Sequence, residues 1–99
     1  MDVQPAQAIT LNVNDGLPDE VWCSIDETYK LMPEWRGYRD GIPYWFGHED
    51  DPQFLWASIE PAGLLVSGVL WEELWEAWIG ELMARLSGVL GREVSDASA

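Results

Sequence analysis

The single histidine of the chain stands in its densest run of possible metal ligands. His48 is followed at once by Glu49, Asp50 and Asp51, and imidazole nitrogen with carboxylate oxygen is a donor set that divalent metals accept. However, consecutive side chains in a loop seldom converge on one ion, because metal sites draw their ligands from separate elements. We therefore favour a solvated acidic loop over a metal site, and we expect no cofactor.

Enzymatic chemistry finds little support in the residue pattern. A chain with 18 acidic residues always contains carboxylate pairs, so no single pair indicates acid–base catalysis. A serine hydrolase would have to use His48, and the Gly-x-Ser-x-Gly elbow that presents such a serine is missing, as are phosphate-binding glycine loops. Cys23, the one cysteine, is expected to be a small buried side chain. The sequence therefore predicts a protein that is not an enzyme.

Charge is the most unusual property of the composition. Five basic and 18 acidic residues give a formal net charge of −13. A field of this sign repels nucleic acid and anionic membranes and attracts cationic surfaces. Acidity also promotes solubility without any partner, and this alternative stays open. The expected partner is a protein with a basic surface, with no direct binding to nucleic acid or membrane.

The size of the chain fits one domain. Its 99 residues, 47% of them hydrophobic, are enough for one core and too few for a second. We expect this domain to span 1–99, with loose termini at 1–7 and 93–99. No segment resembles a signal peptide and no apolar stretch reaches transmembrane length. The expected location is therefore the cytoplasm.

The first third of the chain combines strand and helix signals. In the segment Ala8–Val13, the apolar residues Ile9, Leu11 and Val13 stand at every second position and so share one side, as in a half-buried strand. Residues 20–32 fit a strand, a helix or both. Ser24 followed by Glu27 fits a capping box, which suggests a strand running into a short helix. This helix must end before Pro33.

Two hairpins are predicted in the middle of the chain. Asp40-Gly41 lies between aromatic-rich runs, a combination typical of a type I′ turn. Pro43 then belongs to an edge strand or to an outward-facing position, because proline donates no ladder hydrogen bond. The apolar runs 54–60 and 64–70 flank a second turn at 61–63. Both faces of this second hairpin are apolar, so we expect both to be covered.

The last predicted element is a long amphipathic helix. It runs from Trp71 to Leu90 and ends at Gly91. Its expected core face carries Trp71, Leu74, Trp75, Trp78, Leu82, Leu86 and Val89. The fold class that follows is α+β: an antiparallel sheet of about four to five strands, a β-meander, with this helix packed on one face. The other apolar face, around Tyr44, Phe46, Phe54 and Trp56, then needs the N-terminal segment, a second copy of the chain or another protein to cover it.

Two groups of residues are candidates for binding a partner. Tryptophan is enriched in binding hot spots, and Trp45 and Trp56 are the strand tryptophans that we assign to the surface. Carboxylates raise the rate and specificity of binding to a basic protein, and those assigned here are Glu49, Asp50, Asp51, Glu72, Glu73 and Glu76. Each group has a structural alternative, since strand tryptophans are more often core and a charged helix face is usually only solvated.

A small, acidic α+β domain with surface aromatics and no active site is similar in profile to bacterial immunity proteins, which neutralise toxic enzymes. It is similar also to phage-encoded inhibitors that imitate DNA. The first similarity implies inhibition of a cationic partner and is our leading hypothesis. The second implies that the protein occupies a DNA-binding cleft. A structural or regulatory homodimer is the alternative from another class.

Overall fold

The computed structural model of the chain describes residues 4–98. Its elements are strand β1 (Ala6–Leu11), helix α1 (Asp19–Leu31), strands β2 (Trp35–Arg39), β3 (Ile42–Trp45), β4 (Phe54–Glu60) and β5 (Gly63–Val69), and helix α2 (Glu72–Leu90). The strands form one antiparallel sheet in the order β1-β5-β4-β3-β2. The predicted α+β class is confirmed. Strands β2 to β5 form the predicted meander, and β1 adds to it beside β5.

Helix α1 occupies the segment for which the sequence fitted two structures. The segment is helical throughout and the helix ends before Pro33, as expected. The prediction of a strand in this segment is wrong. The predicted capping box is wrong too, because Ser24 lies inside the helix and its hydroxyl donates to the carbonyl of Glu20. Helical spacing outweighs the short alternation, since it allows Ile25 and Tyr29 to be buried together.

The first hairpin has the predicted turn. Asp40 and Gly41 have φ angles of 53° and 79°, the left-handed pair that a type I′ turn needs. Strand β3 is an interior strand and not an edge strand, but its pairing with β4 is limited to Tyr44 and Trp45. Pro43 lies just before this pairing begins, where its missing N–H breaks no ladder hydrogen bond.

Both helices pack against the same face of the sheet, around a cluster of aromatic rings. The Trp45 ring centroid lies 5.3 Å from Tyr29 on α1, 5.6 Å from Trp35 on β2 and 4.8 Å from Trp78 on α2. The Trp45 indole N–H donates to the Tyr29 carbonyl at 2.9 Å, and that of Trp78 donates to the Pro33 carbonyl at 3.1 Å. These tryptophans bury their rings without leaving the indole N–H unpaired.

The core face of α2 differs from the prediction at its first turn. Trp71 is 42% exposed and Leu74 is 45% exposed. Trp71 precedes the helix with an extended ψ of 140°, so helical spacing does not apply to it, and Leu74 lies about 100° around the helix from the buried Trp75. Gly91 ends the helix with φ of 69°, as predicted. The buried residues are Trp75, Trp78, Ile79, Leu82 and Leu86.

The tail expected to be loose at 93–99 instead runs along β1 in its described part, 93–98, and residue 99 lies outside the described residues. Val94 is only 4% exposed. The backbone N–H of Asn12 donates to the Ser95 carbonyl at 3.0 Å, and that of Ala97 donates to the Thr10 carbonyl at 2.8 Å. The tail therefore covers the outer edge of β1, which would otherwise expose unpaired backbone groups.

The expected loose arm at 1–7 overlaps β1, which begins at Ala6. The Gln7 side-chain amide donates to the Leu70 carbonyl at 3.1 Å, so this part of the arm is held to the sheet. Residues 1–3 of the expected arm lie outside the described residues. Within 4–98, no helix is long and apolar enough to cross a bilayer.

Candidate protein-binding surface

The second face of the sheet carries apolar side chains that no described helix covers. Leu55 is fully buried towards the helices, so its neighbours on β4 point the other way. We call Phe54, Trp56, Leu65 and Val69 the open face; all four are partly exposed and lie outside the hydrophobic core. Of the covers expected for this face of the β4–β5 hairpin, no segment within residues 4–98 supplies one, so a second copy or another protein stays a prediction. An apolar sheet face left in water is a typical docking surface.

The loop 47–53, which we call the acidic loop, folds beside the open face. Tyr44 is the register neighbour of Trp56, and the His48 ring packs on the Tyr44 ring with centroids 5.1 Å apart. A second link joins Asp50 Oδ2 to Arg39 Nη1 at 4.0 Å. The structure thus brings Trp56 and the loop carboxylates, which the sequence proposed together, to one side of the sheet.

The three carboxylates of the acidic loop do not have the same role. Asp51 accepts a hydrogen bond from the His48 backbone N–H at 2.7 Å, and its own N–H donates to the His48 carbonyl at 2.8 Å. Its carboxylate therefore holds the turn of the loop. Glu49 is exposed and the Asp50 side chain is 90% exposed, so these two carboxylates are directed to solvent. Among residues 4–98, no group of side chains is arranged to hold a metal ion.

Trp45 does not belong to the candidate surface. It has no exposed surface at all, so its assignment to a partner contact is wrong. Phe46 also packs against the core, although it was expected on the second face. Its backbone has a φ of 70° and donates to the carbonyl of Glu34, whose φ is 68°. This left-handed backbone ends the alternation of β3 and returns the Phe46 ring to the helix side.

The helix carboxylates lie on a different surface. Glu72, Glu73 and Glu76 are exposed, as predicted, but α2 packs on the face of the sheet opposite to the open face. The predicted partner-binding residues are therefore divided between the two sides of the sheet. Beside the helix carboxylates, the exposed Leu74 borders a groove of about 230 Å³ that also contacts Phe46. The sequence missed this groove because it placed Leu74 in the core.

A cleft of about 340 Å³ opens between α1 and the β2–β3 hairpin. Its walls include Trp22, Asp26 and Tyr29 from α1 and Tyr38 from β2; we call it the α1 cleft. Burial, and then the charge of Asp26, raises the pKa of the Tyr29 phenol above its ordinary range. The cleft was not predicted, because a strand was predicted for part of 20–32. The pattern that could have predicted this wall of the cleft is the helical spacing of Trp22, Asp26 and Tyr29, which places the three residues on one face of α1.

The chain was compared with protein-family models, with curated proteins and with solved structures. No match was found in any of the three comparisons. No residue role is therefore carried over from a relative, and the functional argument depends on the geometry and charge of this chain.

The few cations of the chain have partners within it. Their contacts are Lys30 with Asp26 and Glu27, Arg36 with Glu34, Arg39 with Asp50, Arg85 with Glu81, and Arg92 with backbone carbonyls of Asn12 and Glu93. These pairs involve only a minority of the 18 carboxylates. The surface therefore keeps a large surplus of negative charge.

Cys23 is exposed on α1, so the expectation of a buried thiol is wrong. The same helix phase that buries Ile25 and Tyr29 directs Cys23 to solvent. An exposed cysteine in a chain without others offers a single site for chemical labelling.

Proposed function

We propose that this protein is an acidic binding module that inhibits a cationic partner, in the manner of an immunity protein neutralising a toxic enzyme. The observation that supports this most directly is the open face beside the acidic loop. An interface needs a desolvated apolar centre, preferably with an aromatic anchor, and a polar rim. Trp56 and its apolar neighbours supply the first, and Glu49 and Asp50 supply the second.

Charge supplies the second part of the proposal. A surplus of carboxylates over cations that already have partners within the chain steers a basic protein towards the surface, and such steering raises association rates by about 10 to 10³-fold at low salt. In the proposed function, the protein has no catalytic step of its own and acts in the cytoplasm. It inhibits by covering the partner's working surface.

Imitation of DNA receives less support from the geometry. A protein that replaces a run of phosphates has to present its carboxylates along one continuous surface. Here Glu49 and Asp50 lie beside the open face, whereas Glu72, Glu73 and Glu76 lie on the helix layer. This division favours a protein contact centred on Trp56.

Site-specific photocrosslinking in the native cell tests the proposal. A photoreactive phenylalanine analogue at Trp56 is expected to capture a basic protein. The same analogue at Ala84, an exposed residue of α2 that belongs to neither the open face nor the α1 cleft, is the matched control and is expected to capture none. The captured protein is then purified and assayed with and without the inhibitor. Equal capture from both positions, or a captured enzyme whose activity is unchanged, would contradict the proposal.

Self-association is the second candidate, because the same open face could be covered by a second copy. Two copies each carry −13, so salt would strengthen a homodimer by screening their repulsion, whereas it weakens binding to a basic partner. Sedimentation equilibrium at low and high salt separates these cases. A monomer under both conditions removes the homodimer.

A further inference from the structure

The α1 cleft combines aromatic rings with a carboxylate in one concave site. Trp22 is partly exposed, Tyr38 is 44% exposed and Tyr29 is buried at the inner wall. Asp26 lies on α1 between Trp22 and Tyr29, and its side chain is 40% exposed. Rings of this kind attract a cation through their negative faces, and an adjacent carboxylate adds a direct charge pair.

The inner part of the α1 cleft is apolar. It is lined by side chains of β3, β4 and β5, among them Pro43, Ala57 and Leu64. The cleft lies where the pairing of β3 with β4 stops, because that pairing does not extend past Tyr44 towards the hairpin turn. A ligand that fits this site has an aliphatic stem for the apolar wall and a cationic head for Asp26 and the rings.

We propose that the α1 cleft binds the side chain of an arginine presented by a partner protein. The planar guanidinium can stack on an aromatic ring and at the same time donate paired hydrogen bonds to the Asp26 carboxylate, which a lysine ammonium cannot match. The methylene stem lies against Ile59, which is 39% exposed and is part of the cleft lining. The role of the cleft in partner recognition rests on the proposed function, whereas its affinity for a guanidinium does not.

Lys30 forms an ion pair with the Asp26 carboxylate in the free protein, and Glu27 is its alternative partner. Its ammonium lies 3.3 Å from Asp26 Oδ2 and 3.7 Å from Glu27 Oε1. Both pairs are at least 40% exposed, and such exposed pairs are weak. An incoming guanidinium can therefore take Asp26 while Lys30 moves to Glu27, so that no charge is left unpaired.

A titration followed by ¹H–¹⁵N NMR tests the cleft without any partner. The probe is N-acetylargininamide, and its matched control is the citrulline analogue, which has the same shape but no charge. The arginine probe is expected to give saturable shifts of the Trp22 indole N–H and of the Asp26 amide, with affinity about tenfold or more above that of citrulline. Equal affinity for citrulline, or shifts that never saturate and spread over all acidic residues, would overturn the proposal.

Two matched variants locate the binding. Asp26→Asn is expected to weaken binding of the arginine probe about fivefold or more, whereas Glu20→Gln removes the same charge from an exposed residue of α1 outside the cleft and is expected to change affinity less than about twofold. Tyr38→Leu, which removes an exposed ring of the cleft, should also weaken binding of the arginine probe. Unchanged shifts of the core amides show that each variant is folded. Retained affinity in Asp26→Asn would contradict the assignment.

Free L-arginine separates a partner's side chain from a small-molecule ligand. Its α-ammonium and α-carboxylate replace the two amide groups of the probe without changing the net charge, so we expect it to bind no more tightly than N-acetylargininamide. Tighter binding of free arginine would overturn the role in partner recognition. Since the titration uses no partner, its failure leaves the photocrosslinking result at Trp56 unaffected, and the two proposals fail separately.

Discussion

Trp45 and Trp56 are alike in chemistry and lie on neighbouring strands, but the sheet gives them opposite environments. Trp45 points to the helices and is fully buried, with its indole N–H bonded to the Tyr29 carbonyl. Trp56 points to the open face and is partly exposed. The contribution of each ring to stability and to binding should therefore differ sharply.

We expect Trp45→Ala to lower the free energy of unfolding by about 3–5 kcal/mol, because it leaves a large cavity between both helices and the sheet. Trp56→Ala should cost about 1 kcal/mol or less, since the ring is only partly buried. Urea unfolding followed by far-ultraviolet circular dichroism measures both. If Trp45→Ala does not fold, Trp45→Phe supplies the comparison; equal losses at the two positions would contradict the assignment of faces.

Tyr29 should make the protein sensitive to alkali. Burial raises the pKa of its phenol above its ordinary range, so the folded state keeps the proton that the unfolded state loses above pH ~10. The contribution of the protonated Tyr29 to the free energy of unfolding is fully present below pH ~10. Above this pH the free energy of unfolding declines, with a slope approaching about 1.4 kcal/mol per pH unit. The expected result for Tyr29→Phe is a flatter profile of unfolding free energy against pH. Tyr38→Phe, at an exposed ring, is the control and should keep the slope.

The candidate site was predictable only in part at the level of residues. Alternation on β4 put Trp56 opposite to Leu55, and the run at 48–51 was recognisably an acidic loop. No pattern distinguishes Asp51, whose carboxylate closes the loop on the His48 N–H, from the freely exposed Asp50. Likewise, alternation assigns Trp45 to a face but cannot say which face the helices will cover.

At the scale of elements, turn chemistry and long periodicity were reliable guides. The Asp40-Gly41 turn and the Gly91 helix end were both confirmed, because each needs a backbone conformation that few residues adopt. Helix α1 was missed in part, since its buried residues are few and also fit a short alternation. The tail along β1 carries no local signal, because its backbone pairs with residues from the other end of the chain.

The tail should contribute measurably to stability. Val94→Ala removes a buried side chain and should lower the free energy of unfolding by about 1–3 kcal/mol. The amides of Asn12 and Ala97, which donate across the tail, should exchange faster with solvent. Glu93→Ala changes the exposed neighbouring residue and is the control. An effect of Val94→Ala no larger than that of Glu93→Ala would show that the tail is not packed.

At the scale of the whole molecule, uncompensated charge should oppose folding. The net charge of −13 repels itself in the compact state more strongly than in the unfolded chain, and salt screens this repulsion. We therefore expect the free energy of unfolding to increase when NaCl is raised from about 20 mM to about 500 mM. Glu73→Gln with Glu76→Gln should reduce this increase. A decrease with salt would mean that the ion pairs outweigh the repulsion.

The packing of the tail on β1 also decides how the protein can be handled. Both described ends of the chain, from Pro5 and from Ala97, lie at β1, the edge of the sheet opposite in strand order to β2. The α1 cleft and the acidic loop both contact the β2–β3 side. A tether fused at either end should therefore anchor the molecule to a sensor chip with the α1 cleft and the acidic loop directed away from the chip.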